Sequence, residues 1–233
     1  MSDDLKREAA SAAVERYVES RTVVGLGTGT TATFAVRRIG ELIASGELKD
    51  VRGVPTSART MALANELGIP LATLSEVRPR VTIDGTDEVS PGLALIKGRG
   101  GALLREKIVA SSSEEGLIVV ADSTKMVDSL GAGPLPVEVD SFGWEITLEA
   151  LASLGCEPEL RMDRADPVHP FVTDGGHYTA DCTFDSIPDP ASLEVEIKSI
   201  PGALECGLFV NLARAAIIAT ESEVIEAKPE RAD

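Results

Sequence analysis

Gly25-Leu26-Gly27-Thr28-Gly29-Thr30-Thr31 decides the fold. A short apolar strand, Thr22 to Leu26, runs into this stretch, and a helical pattern leaves it from Ala32 to about Ala44. Its three glycines let the backbone approach a ligand closely, and free N–H groups at a helix start, with three hydroxyls, can hold a phosphate. A Walker A loop requires Gly-Lys followed by Ser or Thr, and no Lys is present here. A dinucleotide fingerprint requires a third Gly where Thr30 stands. It also requires an acid at the end of the second strand, where the sequence reads Val54-Pro55-Thr56. A phosphate cradle of another kind remains, beside the plainer reading of a tight turn rich in capping residues.

Working outward, residues 5–18 read as a helix, with Leu5, Ala9, Ala12, Ala13 and Val14 at helical spacing. Val51 to Val54 reads as a strand, followed by a helix ending near Gly68. A short strand over Leu71 to Leu74 and another over Val81 to Ile83 follow, the latter stopping at Asp84-Gly85. Leu93 to Ile96 reads as extended, Gly98 to Gly101 opens a helix through about Ala110, and Leu117 to Ala121 is a buried strand. The alternation predicts a mostly parallel, Rossmann-like α/β sheet with helices on both faces.

At Gly131-Ala132-Gly133-Pro134 the pattern changes. Pro136 to Val139 and Glu159 to Met162 read as strands around a helix over Trp144 to Leu154. Phe171 to Thr173 and Tyr178 to Phe184 flank Asp174-Gly175-Gly176 as a hairpin, and Ala191 to Ile200 is a helix. Gly207 to Val210 completes a β-α-β-β-α-β order, which predicts a small ferredoxin-like α+β lid domain. The expected division is 1–131 and 207–233 for the Rossmann-like catalytic domain and 132–206 for the small one. Ala215 to Ala219 is expected to return to the first sheet, and the charged ending Lys228 to Asp233 to fray.

The bulk properties narrow the function classes. The 233 residues are ample for a buried core, and the net charge of −16 disfavours nucleic acid and anionic membrane as partners. No apolar run is long enough to span a bilayer, and the acidic start Met1-Ser2-Asp3-Asp4 lacks the apolar core of a secretory signal. The expected location is therefore cytoplasmic. Three widely spaced cysteines, Cys156, Cys182 and Cys206, argue against a disulfide framework or zinc site, and read as small buried residues. Only seven of the 22 basic residues are Lys, a balance that points to a halophilic, salt-loaded cytoplasm, against the plainer alternative of codon bias in a GC-rich genome.

Further candidate residues stand at strand ends. Asp84-Gly85-Thr86-Asp87-Glu88 follows a buried strand, where open α/β sheets bind ligands. Its acids can hold sugar hydroxyls, carry protons or bind Mg²⁺, or can merely form a solvated turn. Lys97-Gly98-Arg99-Gly100-Gly101 is a second glycine-rich turn, this one basic. Glu106 lies in the helix it opens, within Arg105-Glu106-Lys107, a triplet that on an arbitrary helix is a solvated face. Asp122-Ser123-Thr124-Lys125 ends the next strand. Together these gather a phosphate cradle, two carboxylates, two lysines and Glu106 at one sheet edge. Lys6, Lys97, Lys107 and Lys125 are the four of seven lysines in or near these elements.

The ordered set resembles type A ribose-5-phosphate isomerases. The matching segments are Gly25 to Thr31, Asp84 to Glu88, and Lys97-Gly98-Arg99-Gly100-Gly101-Ala102-Leu103-Leu104-Arg105-Glu106-Lys107. Asp122 to Lys125, Pro134-Leu135-Pro136-Val137-Glu138-Val139, Ile200-Pro201-Gly202 and Gly207-Leu208-Phe209 continue in order, over nearly the whole chain. The resemblance implies an aldose–ketose isomerase of the non-oxidative pentose phosphate pathway, acting on D-ribose 5-phosphate and D-ribulose 5-phosphate through a cis-enediolate. It implies no organic cofactor and a homodimer or homotetramer; that no His/Cys cluster exists and that Lys97 can replace a Lewis acid separately predict that no metal is needed. Glu106 would be the proton-transferring base, with Asp84, Asp87 and Lys97 also catalytic. Thr28, Gly29, Thr30, Thr31, Asp84, Gly85, Thr86, Asp87, Lys97, Gly98, Arg99, Gly100 and Lys125 would contact substrate, with Lys6 assisting. Arg99 and Leu104 stand where the family usually has Gly and Thr. Two other classes compete: a sugar-phosphate sensor, for which the segment ahead of residue 22 is too short to hold a DNA-binding helix pair, and a CoA transferase using a nucleophilic Glu.

Overall fold

A computed structural model describes residues 3–229; residues 1–2 and 230–233 lie outside it, and with them part of the acidic start and most of the charged ending expected to fray. The chain runs α1 (Asp3–Tyr17), β1 (Val23–Leu26), α2 (Thr30–Ala44), β2 (Arg52–Pro55), α3 (Ala58–Glu66), β3 (Val81–Gly85), β4 (Glu88–Val89) and β5 (Leu95–Ile96). Next come α4 (Leu103–Ser111), β6 (Leu117–Asp122), a 3₁₀ turn at Ser123–Lys125, β7 (Leu135–Val139), α5 (Trp144–Ala152) and β8 (Glu157–Leu160). The chain ends with β9 (Tyr178–Thr183), α6 (Pro190–Lys198), β10 (Ala203–Cys206), β11 (Leu208–Phe209), β12 (Ala213–Ala219) and β13 (Val224–Ala227).

The main sheet has the order β13-β12-β6-β3-β1-β2, parallel except for β13. Its central strands are buried on both faces, so they read as continuous apolar runs rather than alternating ones. In β6, Ile118 and Val120 pack with Ala10, Val14, Ala35 and Ile39 under α1 and α2. Leu117, Val119 and Ala121 of the same strand pack with Leu95, Ala110 and Phe209 on the opposite side. Helices therefore cover both faces, as the strand–helix alternation requires.

The second sheet is antiparallel, with the order β10-β7-β9-β8, and α5 and α6 supply its connections. This is the ferredoxin-like arrangement expected from the β-α-β-β-α-β order. A third, three-stranded sheet, β11-β5-β4, takes β4 and β5 from between two strands of the main sheet and β11 from between β10 and β12, and its pairing was not foreseen from the sequence.

Four expectations need correction. Leu71 to Leu74 is not a strand: Leu71 makes one isolated bridge to Gly53, and Glu76 then accepts hydrogen bonds from the backbone and hydroxyl of Thr73, turning the chain away. Phe171 to Thr173 is not a hairpin arm, because β8 occupies the edge of β9; Gly176 and Thr173 still close the expected turn. Leu93 has a φ of 59°, so the extended segment shortens to Leu95–Ile96. The expectation that Gly207 to Val210 would complete the small sheet also fails, since Ala203–Cys206 takes that place and Leu208–Phe209 pairs with β5 instead.

Candidate active site

The parallel strands lie in the order β2-β1-β3-β6-β12. The chain passes from β1 to β2 on one side, then returns past β1 to β3 on the other. That reversal opens a crevice at the carboxyl ends of β1 and β3, the expected ligand position in an open α/β sheet. Gly27, at the end of β1, lies so close to β3 that a Cβ there would stand 2.6 Å from the Asp84 Cα. Gly29 caps α2 with a φ of 117°, a conformation that a side chain would strain, and no side chain caps the amides of the first turn. The first amides of α2 thus face the crevice without a protein cap, as anion sites at helix starts require.

Behind the loop lies a buried ion cluster. Lys97 Nζ sits 3.0 Å from Asp84 Oδ2 and 3.3 Å from Glu106 Oε2, and it donates to the Gly85 carbonyl at 2.5 Å. All three side chains are at most 3% exposed. Asp84 Oδ1 accepts from the amides of Thr28 (2.9 Å) and Gly85 (2.8 Å), tying the phosphate-type loop to the cluster. Neither Asp84 Oδ2 nor Glu106 Oε2 receives a well-directed hydrogen bond.

Burial pushes the Glu106 carboxyl up to about 8; Lys97 opposes the rise, while Asp84 and Asp87 add to it. Burial likewise acts to raise Asp84. Burial would lower Lys97, but the two neighbouring carboxylates win and hold it firmly charged. One cation thus serves two buried carboxyls, so the pair retains a proton near neutral pH. Asp84 has two amide donors besides the lysine, and Glu106 has none, so the proton belongs on Glu106.

The crevice holds about 440 Å³ of open space. Thr28, Gly29, Thr30 and Thr31 line one side; Gly85, Thr86 and Asp87 line the floor; Lys97, Gly98, Gly100, Glu106 and Lys125 close it. Two expected contacts stand elsewhere. Asp84 is fully buried behind this lining, and Arg99 turns its guanidinium away, onto Glu88 at 2.6 Å. Arg99 still reaches the site through its amide, which donates to Asp87 Oδ2 at 3.0 Å. Of the four lysines singled out, Lys97 and Lys125 line the crevice. Lys6 pairs with Asp3, and Lys107 is held by Glu194 and Glu205.

The triplet Arg105-Glu106-Lys107 is not a solvated face. Glu106 and Lys107 are buried, and only Arg105 reaches out, to Asp174. Sequence reasoning missed the hydroxyl cluster beneath the loop, where Thr28 Oγ1 meets Thr56, Ser57 and Thr60 at 2.7, 2.8 and 3.0 Å. Pro55-Thr56-Ser57 carries the signature of an ordinary turn, with Ser57 as the cap of α3, so nothing in the sequence marked it. It also missed Glu88, a buried carboxylate that accepts the amides of Gly131, Ala132 and Gly133. Among the described residues, one group of potential metal ligands gathers, Glu194, Glu205 and Cys206, and Lys107 Nζ already stands against both carboxylates.

Residues 52–223 match the family Ribose 5-phosphate isomerase A (phosphoriboisomerase A). The chain belongs to this family. It is 54% identical to the ribose-5-phosphate isomerase A of Gloeobacter violaceus over 95% of either chain, and 47% identical to that of Roseiflexus castenholzii over 97% of this chain and 96% of the relative. The ribose 5-phosphate isomerase of Plasmodium falciparum superimposes with a TM-score of 0.93 at 40% identity, covering 99% of this chain and all of that one. A D-ribose-5-phosphate isomerase in complex with phospho-erythronic acid matches equally well, with a TM-score of 0.93 at 39% identity and coverage of 98% and 100%. The fold class and the family therefore stand as the sequence predicted.

Proposed function

We propose that this protein interconverts D-ribose 5-phosphate and D-ribulose 5-phosphate, with Glu106 carrying the proton between C2 and C1. The observation that carries this reading is the Glu106 carboxyl itself: it faces the crevice, and burial raises it to about 8. A base held near the working pH both accepts and returns a proton readily, for an effect of about 10²–10⁴-fold. Its carboxylate takes the C2 proton of the open-chain aldose, giving a cis-enediolate. The carboxyl, which exchanges its proton with solvent in some turnovers, then gives a proton to C1, while the hydroxyl proton shifts from O2 to O1, so no atom is gained or lost. Lys97 is the fixed charge beside the developing oxyanion, a contribution of about 10²–10³-fold for one such donor. Asp87, on the crevice floor, holds sugar hydroxyls and assists ring opening. Asp84 acts through Lys97 and the Thr28 amide rather than by touching substrate. The first amides of α2, with Thr30, Thr31 and Lys125, hold the phosphate. Gly85, Thr86, Gly98 and Gly100 shape the crevice through their backbone.

Other parts of this reading concern the molecule as a whole. The small unit over 132–206 is a domain that closes on the crevice, the enzyme is a cytoplasmic homodimer or homotetramer, and it requires neither cofactor nor metal. Among the described residues no helix is long and apolar enough to cross a membrane. The charge of −16 repels itself least when salt is high, so the fold belongs to a salt-rich cytoplasm. Incubation with ribose 5-phosphate alone, with and without EDTA, tests the activity. Ketose must form, and solvent deuterium must appear at C2 of recovered aldose. Activity abolished by EDTA and restored by Mg²⁺ would instead make Asp84 and Asp87 metal ligands.

A further inference from the structure

Next to the crevice, and sharing Gly100 with it, a second and wider depression opens between the loops of the main sheet and the end of β8. It holds about 1060 Å³ of open space. Four arginines line it, Arg59, Arg99, Arg161 and Arg164, against two aspartates, Asp163 and Asp181. In a chain of net charge −16 this is a local reversal of sign.

Most of these groups are already engaged. Arg161 forks onto both oxygens of Asp181 at 2.5 and 2.8 Å and reaches the carbonyls of Gly98 and Arg99. Arg99 holds Glu88, and Asp163 caps the Ala165 amide. Arg59 and Arg164 differ. Both are exposed, and among the described residues neither side chain has an ion-pair or hydrogen-bond partner. Arg59 lies in the first turn of α3, its Nη2 3.8 Å from where a Cβ on Gly100 would stand. Two uncommitted positive charges thus line the depression beside the crevice, one of them, Arg59, near the shared Gly100, on walls fixed by the committed pair.

We infer that this arginine-lined depression is a docking site for the phosphate of the incoming sugar, occupied before the phosphate passes Gly100 to the α2 amides. The inference rests on the isomerase reading of the adjoining crevice. A dianion approaching a molecule of charge −16 is repelled at long range, and a low-dielectric depression lined by one sign of charge focuses the field against that repulsion. Such a site acts on capture and not on chemistry, so its signature lies in kcat/KM and in salt.

The test is a double variant, Arg59→Gln with Arg164→Gln, assayed with ribose 5-phosphate at 0.01 M and 1 M salt. At low salt kcat/KM falls roughly fivefold to tenfold, near the lower bound for electrostatic focusing. At 1 M, where the Debye length is about 3 Å, the loss shrinks below about twofold. kcat is unchanged throughout. The control is Arg21→Gln with Arg78→Gln, an equal charge change on exposed residues that precede β1 and β3, at the opposite edge of the sheet. It leaves kcat/KM within about twofold at low salt, because those charges lie outside the depression that focuses the field. Equal losses in the two doubles, a loss that persists at 1 M salt, or a fall in kcat would overturn the docking site while leaving the isomerase reading intact. No turnover by the unaltered protein would overturn the isomerase reading, and this inference with it.

Discussion

Two buried lysines stand over the ring of Phe209, Lys97 at 5.4 Å and Lys107 at 5.0 Å from its centroid, and each meets two carboxylates. Their hydrogen bonding is opposite. Lys107 donates to Glu194 at 2.6 Å and Glu205 at 2.8 Å, and Glu205 also accepts from Lys198 and the Cys206 amide. Every charge in that group is answered. Around Lys97, Asp84 Oδ2 and Glu106 Oε2 have ion contacts but no well-directed hydrogen bond, and the group borders an open crevice. Burial drives Glu106 up to about 8, whereas Glu205, which burial would also raise, is held below its ordinary value by Lys107. A saturated cluster, with two lysines for two carboxylates, stabilises the fold; an unsaturated one, with a single lysine for two, stores a proton that can be moved.

The sharpest way to break this comparison is to exchange a carboxyl for an amide in each cluster. Glu106→Gln keeps size and much of the polarity but cannot accept a proton, so kcat falls by about 10²–10⁴-fold while substrate binding changes little. Single-turnover kinetics, together with deuterium wash-in at C2, measures this. A variant that keeps more than about a tenth of kcat would remove Glu106 as the base. Glu205→Gln leaves kcat within about twofold, since it touches nothing in the crevice. The complementary change, Lys107→Met, strands carboxylates in a buried site. It costs about 3 kcal/mol in denaturant unfolding, at the lower bound for a broken buried pair because Lys198 and the Cys206 amide still serve Glu205. The folded fraction turns over normally. A large loss of kcat at Lys107→Met would mean that the two clusters are not separate.

Adjacent residues in the sequence, Glu106 and Lys107, belong to these two different clusters, and no pattern told them apart. Helix α4 is only nine residues long and buries Leu103, Glu106, Lys107, Val109 and Ala110, so it shows no polar face against which a functional charge would stand out. The main strands were legible for the converse reason: burial on both faces leaves uninterrupted apolar runs bounded by glycine-rich turns. The short pairs Glu88–Val89 and Leu208–Phe209 were missed or misplaced because two residues carry no periodicity, and β10 because Ala203–Cys206 has a Glu in its middle. That Glu is Glu205, whose partner Lys107 lies far off in the sequence. The loops at the site were legible as motifs, but the direction of each side chain was not. Arg99 shows this, its guanidinium being claimed by the buried Glu88 and its amide by Asp87. Lys6 shows it too, paired with Asp3 rather than reaching the crevice.

The smallest expected effect, and the finest test of the comparison, is the dependence of stability on pH. Glu106 titrates near 8 in the folded protein against an ordinary value of 4.5, so the folded state holds the proton more tightly than the unfolded one. A group of this kind contributes stability that is fully present below 4.5 and is lost as pH rises through about 8. Glu205 works in the opposite sense. Its carboxyl is held below the ordinary value, so its contribution is present above 4.5 and is lost as pH falls through its lower folded value. The two clusters therefore act in separate windows, one between 4.5 and about 8 and the other below 4.5. Thermal melts of the unaltered protein should decline from pH 5 to 8.5, and Glu106→Gln, which has no carboxyl to titrate, should flatten that decline while leaving the acid limb in place. Over the same range kcat/KM should rise with pH and level off above about 8, because the base must be ionised to act. An alkaline decline that survives Glu106→Gln would place the stored proton on Asp84, and Asp84→Asn would then be the variant that removes it.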